Sequence, residues 1–268
     1  MQFPKIDPVF FRLGPLELRW YGLMYVISFI LAYLLISRNA AKKNIALSKD
    51  DVADLIFYIA LGVILGGRIG YVLFYNLSYY IDNPLKIFAV WEGGMSFHGG
   101  LLGTIATSFY FARKKRIAFF RLVDLCVPVV PVGLGLGRLG NFINGELYGR
   151  VTSVPWGMVF PGGGVHPRHP SQLYEAVLEG PVLFTVLWLV QRKKNLPVGI
   201  VFWCFFALYG LFRFLVEFTR EPDEQLGYIL SRFSMGQILS FPMFLLGVCM
   251  ILVLWSRGKK YFPPDRMS

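Results

Sequence analysis

Seven stretches of roughly twenty residues, each dominated by apolar side chains, recur near 19–37, 54–75, 96–112, 120–140, 173–190, 198–218 and 235–255. A helix of about that length matches the hydrocarbon thickness of a bilayer, and the pattern repeats too often to belong to one buried core. The composition agrees: 55% of the residues are hydrophobic, 17% are aromatic and the mean hydropathy is +0.54. That is too apolar for a soluble domain, so the chain reads as an integral membrane protein.

Orientation follows from the basic residues between the stretches. Arg38, Lys42, Lys43 and Lys49 follow the first, Arg113–Arg116 the third, Arg192–Lys194 the fifth, and Arg257, Lys259 and Lys260 the last, while the alternate loops carry few. Because cytoplasmic loops concentrate Lys and Arg, all four clusters fit one arrangement. The expected fold is an all-α integral membrane protein of about seven transmembrane helices, N-terminus outside and C-terminus inside. Residues 1–268 form a single membrane-embedded domain on this reading, and the Gly- and Pro-rich loop 141–172 forms a small external cap. The N-terminal stretch and the aromatic loop Asn76–Gly94 are expected to lie in the headgroup layer.

The net charge of +11 does not imply nucleic acid, because the basic residues mark loop ends and form no continuous patch. Cys126, Cys204 and Cys249 sit inside apolar stretches without paired spacing, so packing is their expected role and no metal site is foreseen. The N-terminus, with Pro4, Asp7, Pro8 and Pro15, lacks the charged and apolar regions of a cleavable signal peptide. The stretches show no internal repeat of the kind that builds many transporters.

The ionisable residues inside the stretches carry more information. On the expected orientation Arg68, His98, Arg138, Arg213 and Glu217 all fall in the outer half of the bilayer, which suggests one cavity open to that side. Arg138 closes the fourth stretch within the glycine-rich run Gly133–Arg150, with Asn141 three residues on and on the same helical face. An arginine at that depth needs a partner or an anion. Tyr209, Arg213 and Glu217 fall at i, i+4 and i+8, with Arg220 three further on, so one stripe carries hydroxyl, cation, carboxylate and cation. An Arg213–Glu217 pair that neutralises itself is one reading. The other is a phosphate site, since Arg138 and Arg68 lie outside that pair and a guanidinium binds phosphate oxygens bidentately. His98, in Phe97-His98-Gly99-Gly100, is either a hydrogen-bonded helix-end residue or a base, and His169 reads as structural at the start of the fifth stretch. Gly62, Gly66, Gly67 and Gly70 suggest a tightly packed second helix. An enzyme and a lipid transporter both remain open on these residues, with a receptor or scaffold as a further alternative.

Several runs together resemble the bacterial prolipoprotein diacylglyceryl transferases. They are Trp20–Met24, Gly66–Tyr71, Gly94–Gly100, Gly137–Gly149, Arg168–Glu175, Tyr209–Glu217 and Ser234–Gln237, spread along the chain in the family's order. The run Gly137-Arg138-Leu139-Gly140-Asn141-Phe142-Ile143-Asn144-Gly145-Glu146 is the most specific. The resemblance implies an inner-membrane enzyme with its site towards the periplasm. It would transfer the diacylglyceryl group of phosphatidylglycerol to the lipobox cysteine of a preprolipoprotein, forming a thioether and releasing glycerol 1-phosphate, without cofactor or metal. It also implies roles in activity or binding for Tyr21, His98, Arg138, Asn141, Glu146, Gly149, Arg213 and Glu217, with Tyr209 and Arg68 as additions. On this reading Arg138 and Arg213 hold the phosphate, Glu217 orients Arg213, Asn141 and Glu146 receive the glycerol headgroup, and His98, with Tyr21, serves the incoming thiol.

Overall fold

The computed structural model describes residues 1–14, 16–221, 228–229 and 233–258, so Pro15, Lys259 and Lys260 lie outside the described residues. Helices occupy all seven apolar stretches. They are α1 (Trp20–Lys42), α2 (Lys49–Tyr75), α4 (Phe97–Lys114), α5 with α6 (Phe119–Cys126 and Val130–Asn144), α7 with α8 (Ser171–Val177 and Leu183–Gln191), α9 (Ile200–Val216) and α10 (Met235–Ser256). A short α3 (Leu77–Asp82) follows α2, 3-10 turns occupy Pro84–Phe88, Val90–Glu92 and Val127–Val129, and the described strands form two antiparallel pairs, β1–β2 (Val9–Leu13, Leu16–Arg19) and β3–β4 (Tyr228–Ile229, Phe233–Ser234).

Among the described residues, five helical segments are long and apolar enough to cross a membrane: Trp20–Lys42, Lys49–Tyr75, Phe119–Ile143, Ser171–Gln191 and Met235–Ser256. α9 is apolar but shorter, at 17 residues. α4 falls short because Arg113 and Lys114 at its end, with His98 and the glycines at its start, lower its apolarity over only 18 residues. The protein is an all-α, multi-pass membrane protein. α1 and α10 bury little of themselves and expose Phe29, Ile30, Leu34, Leu239, Leu245 and Leu252, the kind of surface that lipid tails solvate.

The helix ends follow from local chemistry. Ser48 caps α2 and Ser234 caps α10, each in a reciprocal capping box with the residue three further on, Asp51 or Gln237. α6 stops at Gly145, whose φ of 68° is left-handed and lets the Glu146 N–H return to the Asn141 carbonyl at 3.1 Å.

Two compact units emerge, Met1–Ala32 with Cys126–Ser268, and Tyr33–Leu125. In the second, α2 and α4 meet along a seam of small residues. A Cβ on Gly66 would lie 2.3 Å from the Gly99 carbonyl oxygen, and one on Gly103 would lie 2.0 Å from that of Gly62. Such backbone contact is how helices pack where no water drives them together.

In the first unit, α6 crosses the α7–α8 segment equally closely, with a Gly135 Cβ position 2.9 Å from the Gly180 Cα. The crossing depends on a kink. Pro181 has no N–H to donate, Gly180 leaves helical geometry (φ −92°, ψ −107°), and a π-turn at Leu178–Val182 joins α7 to α8. α9 and α10 pack through Gly210 against Ser240 and Phe244, and through Gly247 against Ala207.

The segment 145–170 has no helix. It is held by bridges of Val151 and Met158 to Arg168, of Gly149 to Arg220 and of Gln2 to Val159, over a cluster of Phe3, Phe142, Tyr148 and Phe160.

Candidate active site

Because Gly135 brings α6 against the kinked helix, Arg138, three residues further on, projects towards two carboxylates of α7–α8. Its Nε lies 3.0 Å from Glu175 Oε2 and 3.6 Å from Glu179 Oε2. Across from it, Arg213 on α9 donates through Nη1 to Glu175 Oε1 and pairs through Nη2 with Glu217 Oε2 at 2.9 Å. Arg220, past the end of α9, donates through Nη1 to the same Glu175 Oε1 at 2.9 Å and approaches Glu217 Oε2 through Nε at 3.6 Å. Three arginines and three glutamates thus share one network.

Burial orders this network. The Glu175 and Glu179 side chains are 0% exposed and Glu217 is 6% exposed, whereas Arg138, Arg213 and Arg220 keep 21%, 18% and 11%. The carboxylates form a floor, and the arginine side chains keep a partly accessible edge above it. That edge can receive an anion, because a guanidinium bound on one side to a carboxylate still offers N–H groups on the other. Both oxygens of Glu179 lack a hydrogen bond among the described residues, so its contact with Arg138 is ionic only.

The floor is fixed by its surroundings. Gln172 Nε2 donates to the Glu146 carbonyl at 2.6 Å and Ser171 Oγ to that of Leu147 at 3.1 Å, which ties the start of α7 to the end of α6. Glu217 accepts from Ser234 Oγ at 3.0 Å, and a Cβ on Gly236 would lie 2.6 Å from its carboxyl carbon. The first turn of α10 therefore closes over Glu217. Arg150 braces the loop beyond α9, donating to the carbonyls of Arg220 and Glu217.

Of the residues expected from the sequence, Arg138, Arg213 and Glu217 are brought together, and the Arg213–Glu217 pair exists as the spacing suggested. Tyr209 lies one turn before Arg213 on α9, its ring stacked on Phe205. Asn141 is buried and donates to Glu146 Oε1 at 2.9 Å, with Asn144 donating to the same oxygen at 3.1 Å, so the exposed Glu146 is held from two sides. Tyr21 packs against α6, where a Cβ on Gly140 would sit 2.6 Å from its ring, and its hydroxyl is 3.2 Å from that of Tyr25. Gly149 has no room for a side chain: a Cβ would lie 2.2 Å from the Thr219 carbonyl oxygen. Its close approach is to protein backbone.

His98 and Arg68 belong to the second unit. His98 is the second residue of α4, exposed, with its ring against Phe97. Arg68 corrects the expectation that it contacts phosphate. It is 4% exposed, and its guanidinium donates to the carbonyls of Lys86, Ile87, Ala89, Gly93 and Gly94 while lying 5.1 Å from the Tyr80 ring centroid. Those five bonds use its whole donor set, so it clamps the loop after α3.

Glu175 and Glu179 balance the charge of the arginines. Their spacing of four residues inside an apolar stretch was the available signal. His169 matches its structural reading. Its Nδ1 lies 3.2 Å from the Tyr174 hydroxyl, which also accepts from Trp156 Nε1 at 2.6 Å, and burial with the nearby Arg150 charge holds its pKa below the usual histidine value. Among the described residues no group of three or more His, Cys, Asp or Glu side chains is placed to hold a metal.

The fold and site define a class: a multi-pass helical membrane protein in which buried carboxylates pair with partly exposed arginines. Comparison with known proteins narrows it. The sequence pattern of the family described as prolipoprotein diacylglyceryl transferase matches residues 8–253, and the chain belongs to that family. A relative from Geobacter sulfurreducens, named phosphatidylglycerol–prolipoprotein diacylglyceryl transferase, is 70% identical over 259 residues, covering 97% of this chain and 99% of its own. Proteins of the same name from Aliivibrio salmonicida and Vibrio parahaemolyticus are 54% and 55% identical, over 99% and 96% of this chain and 93% and 94% of theirs.

Proposed function

We propose that the protein transfers the diacylglyceryl group of phosphatidylglycerol to the lipobox cysteine of a preprolipoprotein, the first step of lipoprotein maturation. The observation that carries this reading is the set of three guanidinium edges over a buried carboxylate floor, in a chain of this family. A phosphodiester is monoanionic and planar-forked donors suit its oxygens. In the reaction the cysteine sulfur forms a bond to the glyceryl carbon. The carbon–oxygen bond to phosphate breaks, its electron pair stays on the phosphate oxygen, and glycerol 1-phosphate leaves.

Arg138 and Arg213 stabilise the charge that grows on that phosphate, with Arg220 beside them, and Glu217 orients Arg213 and Arg220. Asn141 and the Glu146 it holds receive the hydroxyls of the glycerol headgroup. A thiol is a weak nucleophile until it loses its proton, and the exposed His98 is the residue assigned to take that proton, with Tyr21 assigned as a hydroxyl donor. The four basic clusters support an N-out, C-in orientation in the bacterial inner membrane, with the site towards the periplasm. The exposed Leu85, Phe88 and Trp91 suit the headgroup layer.

The test uses purified protein in detergent with phosphatidylglycerol and a lipobox peptide. The peptide gains the mass of a diacylglyceryl group, and glycerol 1-phosphate appears in equal amount. A Cys→Ser peptide gains nothing. Thioether formed at the wild-type rate by a His98→Gln variant would remove His98 as the base.

A further inference from the structure

Glu175 is the one carboxylate among the described residues that touches all three arginines of the site. We propose that it is a positioning residue that aligns Arg138, Arg213 and Arg220 for one phosphate while competing with that phosphate for them, so that it weakens ground-state binding and speeds transfer. The inference rests on phosphatidylglycerol as donor. Arg138 comes from α6, Arg213 from α9 and Arg220 from the loop beyond α9, so no single helix sets their relative geometry. Left alone, three like charges repel. Glu175 gathers them: Oε1 accepts from Arg213 and Arg220, and Oε2 faces Arg138 at 3.0 Å.

Glu179 reaches Arg138, and Glu217 reaches Arg213 and Arg220, so neither spans the set. Glu175 is also enclosed by packing. It is 0% exposed, one turn past the anchored Ser171 and Gln172, and ahead of the kink that presses Gly180 onto Gly135.

Charge sets the kinetic signature. Three arginines and three glutamates sum to zero in their ionised forms, and a bound phosphodiester brings one further negative charge. Removing the Glu175 charge makes the site more positive, which favours the bound lipid, but it frees the guanidiniums from the alignment needed as charge develops. A variant that lowers kcat and KM together has this meaning, whereas loss of simple packing does not lower KM.

The experiment compares wild type with Glu175→Gln and Glu175→Asp, as full chains in detergent, over a range of phosphatidylglycerol concentrations. In Glu175→Gln, kcat is expected to fall roughly 100-fold, the scale of an ångström-level misplacement, while KM falls. Glycerol 1-phosphate is expected to inhibit or bind that variant more tightly than wild type. Glu175→Asp keeps the charge and is expected to return KM to the wild-type value with an intermediate kcat.

A raised KM, or an unchanged kcat, in Glu175→Gln would overturn the proposal. Should Glu175→Gln fail to fold, Glu175→Asp decides through the same kcat and KM pattern, and failure of both to fold would reduce Glu175 to a packing residue. If wild type itself forms no thioether, the donor reading fails, and the relative affinity of glycerol 1-phosphate for the variants still tests the competition.

Discussion

Gly149→Ala should disable the protein although Gly149 touches no charge in the site. A Cβ there would lie 2.2 Å from the Thr219 carbonyl oxygen, 2.9 Å from His169 Cβ and 3.0 Å from the His169 carbonyl oxygen. Ordinary contact begins near 3.4 Å, so two backbone segments must part by about 1.2 Å. The hydrogen bonds between them are Gly149 N–H to His169 at 2.8 Å, Arg150 N–H to Thr219 at 2.9 Å and His169 N–H to Arg150 at 3.0 Å. Losing two of them costs about 2 kcal/mol, and the overpacking adds about 1–3 kcal/mol.

At about 2–4 °C per kcal/mol for a chain of this size class, the melting temperature should fall by roughly 10 °C. The same displacement moves Thr219 and Arg220, so transfer should fall by roughly 100-fold even in the folded fraction. Thermal unfolding in detergent, read beside initial rates, measures both. Gly137→Ala is the control. Nothing outside the nearby backbone of its own helix lies within 4 Å of its Cβ position in the α6 interior, and alanine is the better helix former by up to about 1 kcal/mol. A Gly149→Ala protein that melts within about 2 °C of wild type, or a Gly137→Ala protein that loses as much, would refute the close-approach argument.

Three further outcomes are expected. Arg138→Lys keeps the charge but loses the planar fork over Glu175, and transfer should fall by about 10–100-fold, the worth of a charge-assisted bidentate contact; wild-type turnover would exclude clamping by the fork. Arg68→Ala leaves five loop carbonyls without their donor and should cost about 3–5 kcal/mol of stability, whereas a normally stable but inactive variant would return Arg68 to the substrate contacts. The pKa of His169 is depressed in the fold, so the unfolded chain binds its proton first, and stability from this group is present above about pH 6.5 and lost as pH falls through the folded value. The melting temperature should drop between about pH 7.5 and pH 5.5, and less steeply in His169→Gln; equal slopes would contradict this assignment.

The helices were legible because a bilayer demands length and apolarity, and both are visible in a sequence. The Arg213–Glu217 pair was readable from a spacing of four. Glu175 was not, because its three partners lie 37, 38 and 45 residues away and meet it only once Gly135 packs on Gly180 and Pro181 kinks the helix. The same limit explains Arg68. Depth placed it beside the other arginines, but its partners are backbone carbonyls, which every residue owns and no side-chain pattern reveals. Orientation rests on charge clusters alone, and labelling of a cysteine introduced at Arg116 or at Gly164 from either side of the membrane would test it.

The central claim is that the arginine edge over the carboxylate floor drives transfer from phosphatidylglycerol. The most direct measurement is thioether formation on a lipobox-cysteine peptide by purified wild type and by Arg138→Ala, with folding of the variant verified by its melting curve. The account predicts transfer by wild type and none by the folded variant. Wild type that binds phosphatidylglycerol without ever modifying the peptide, or a variant that transfers at the wild-type rate, would contradict it.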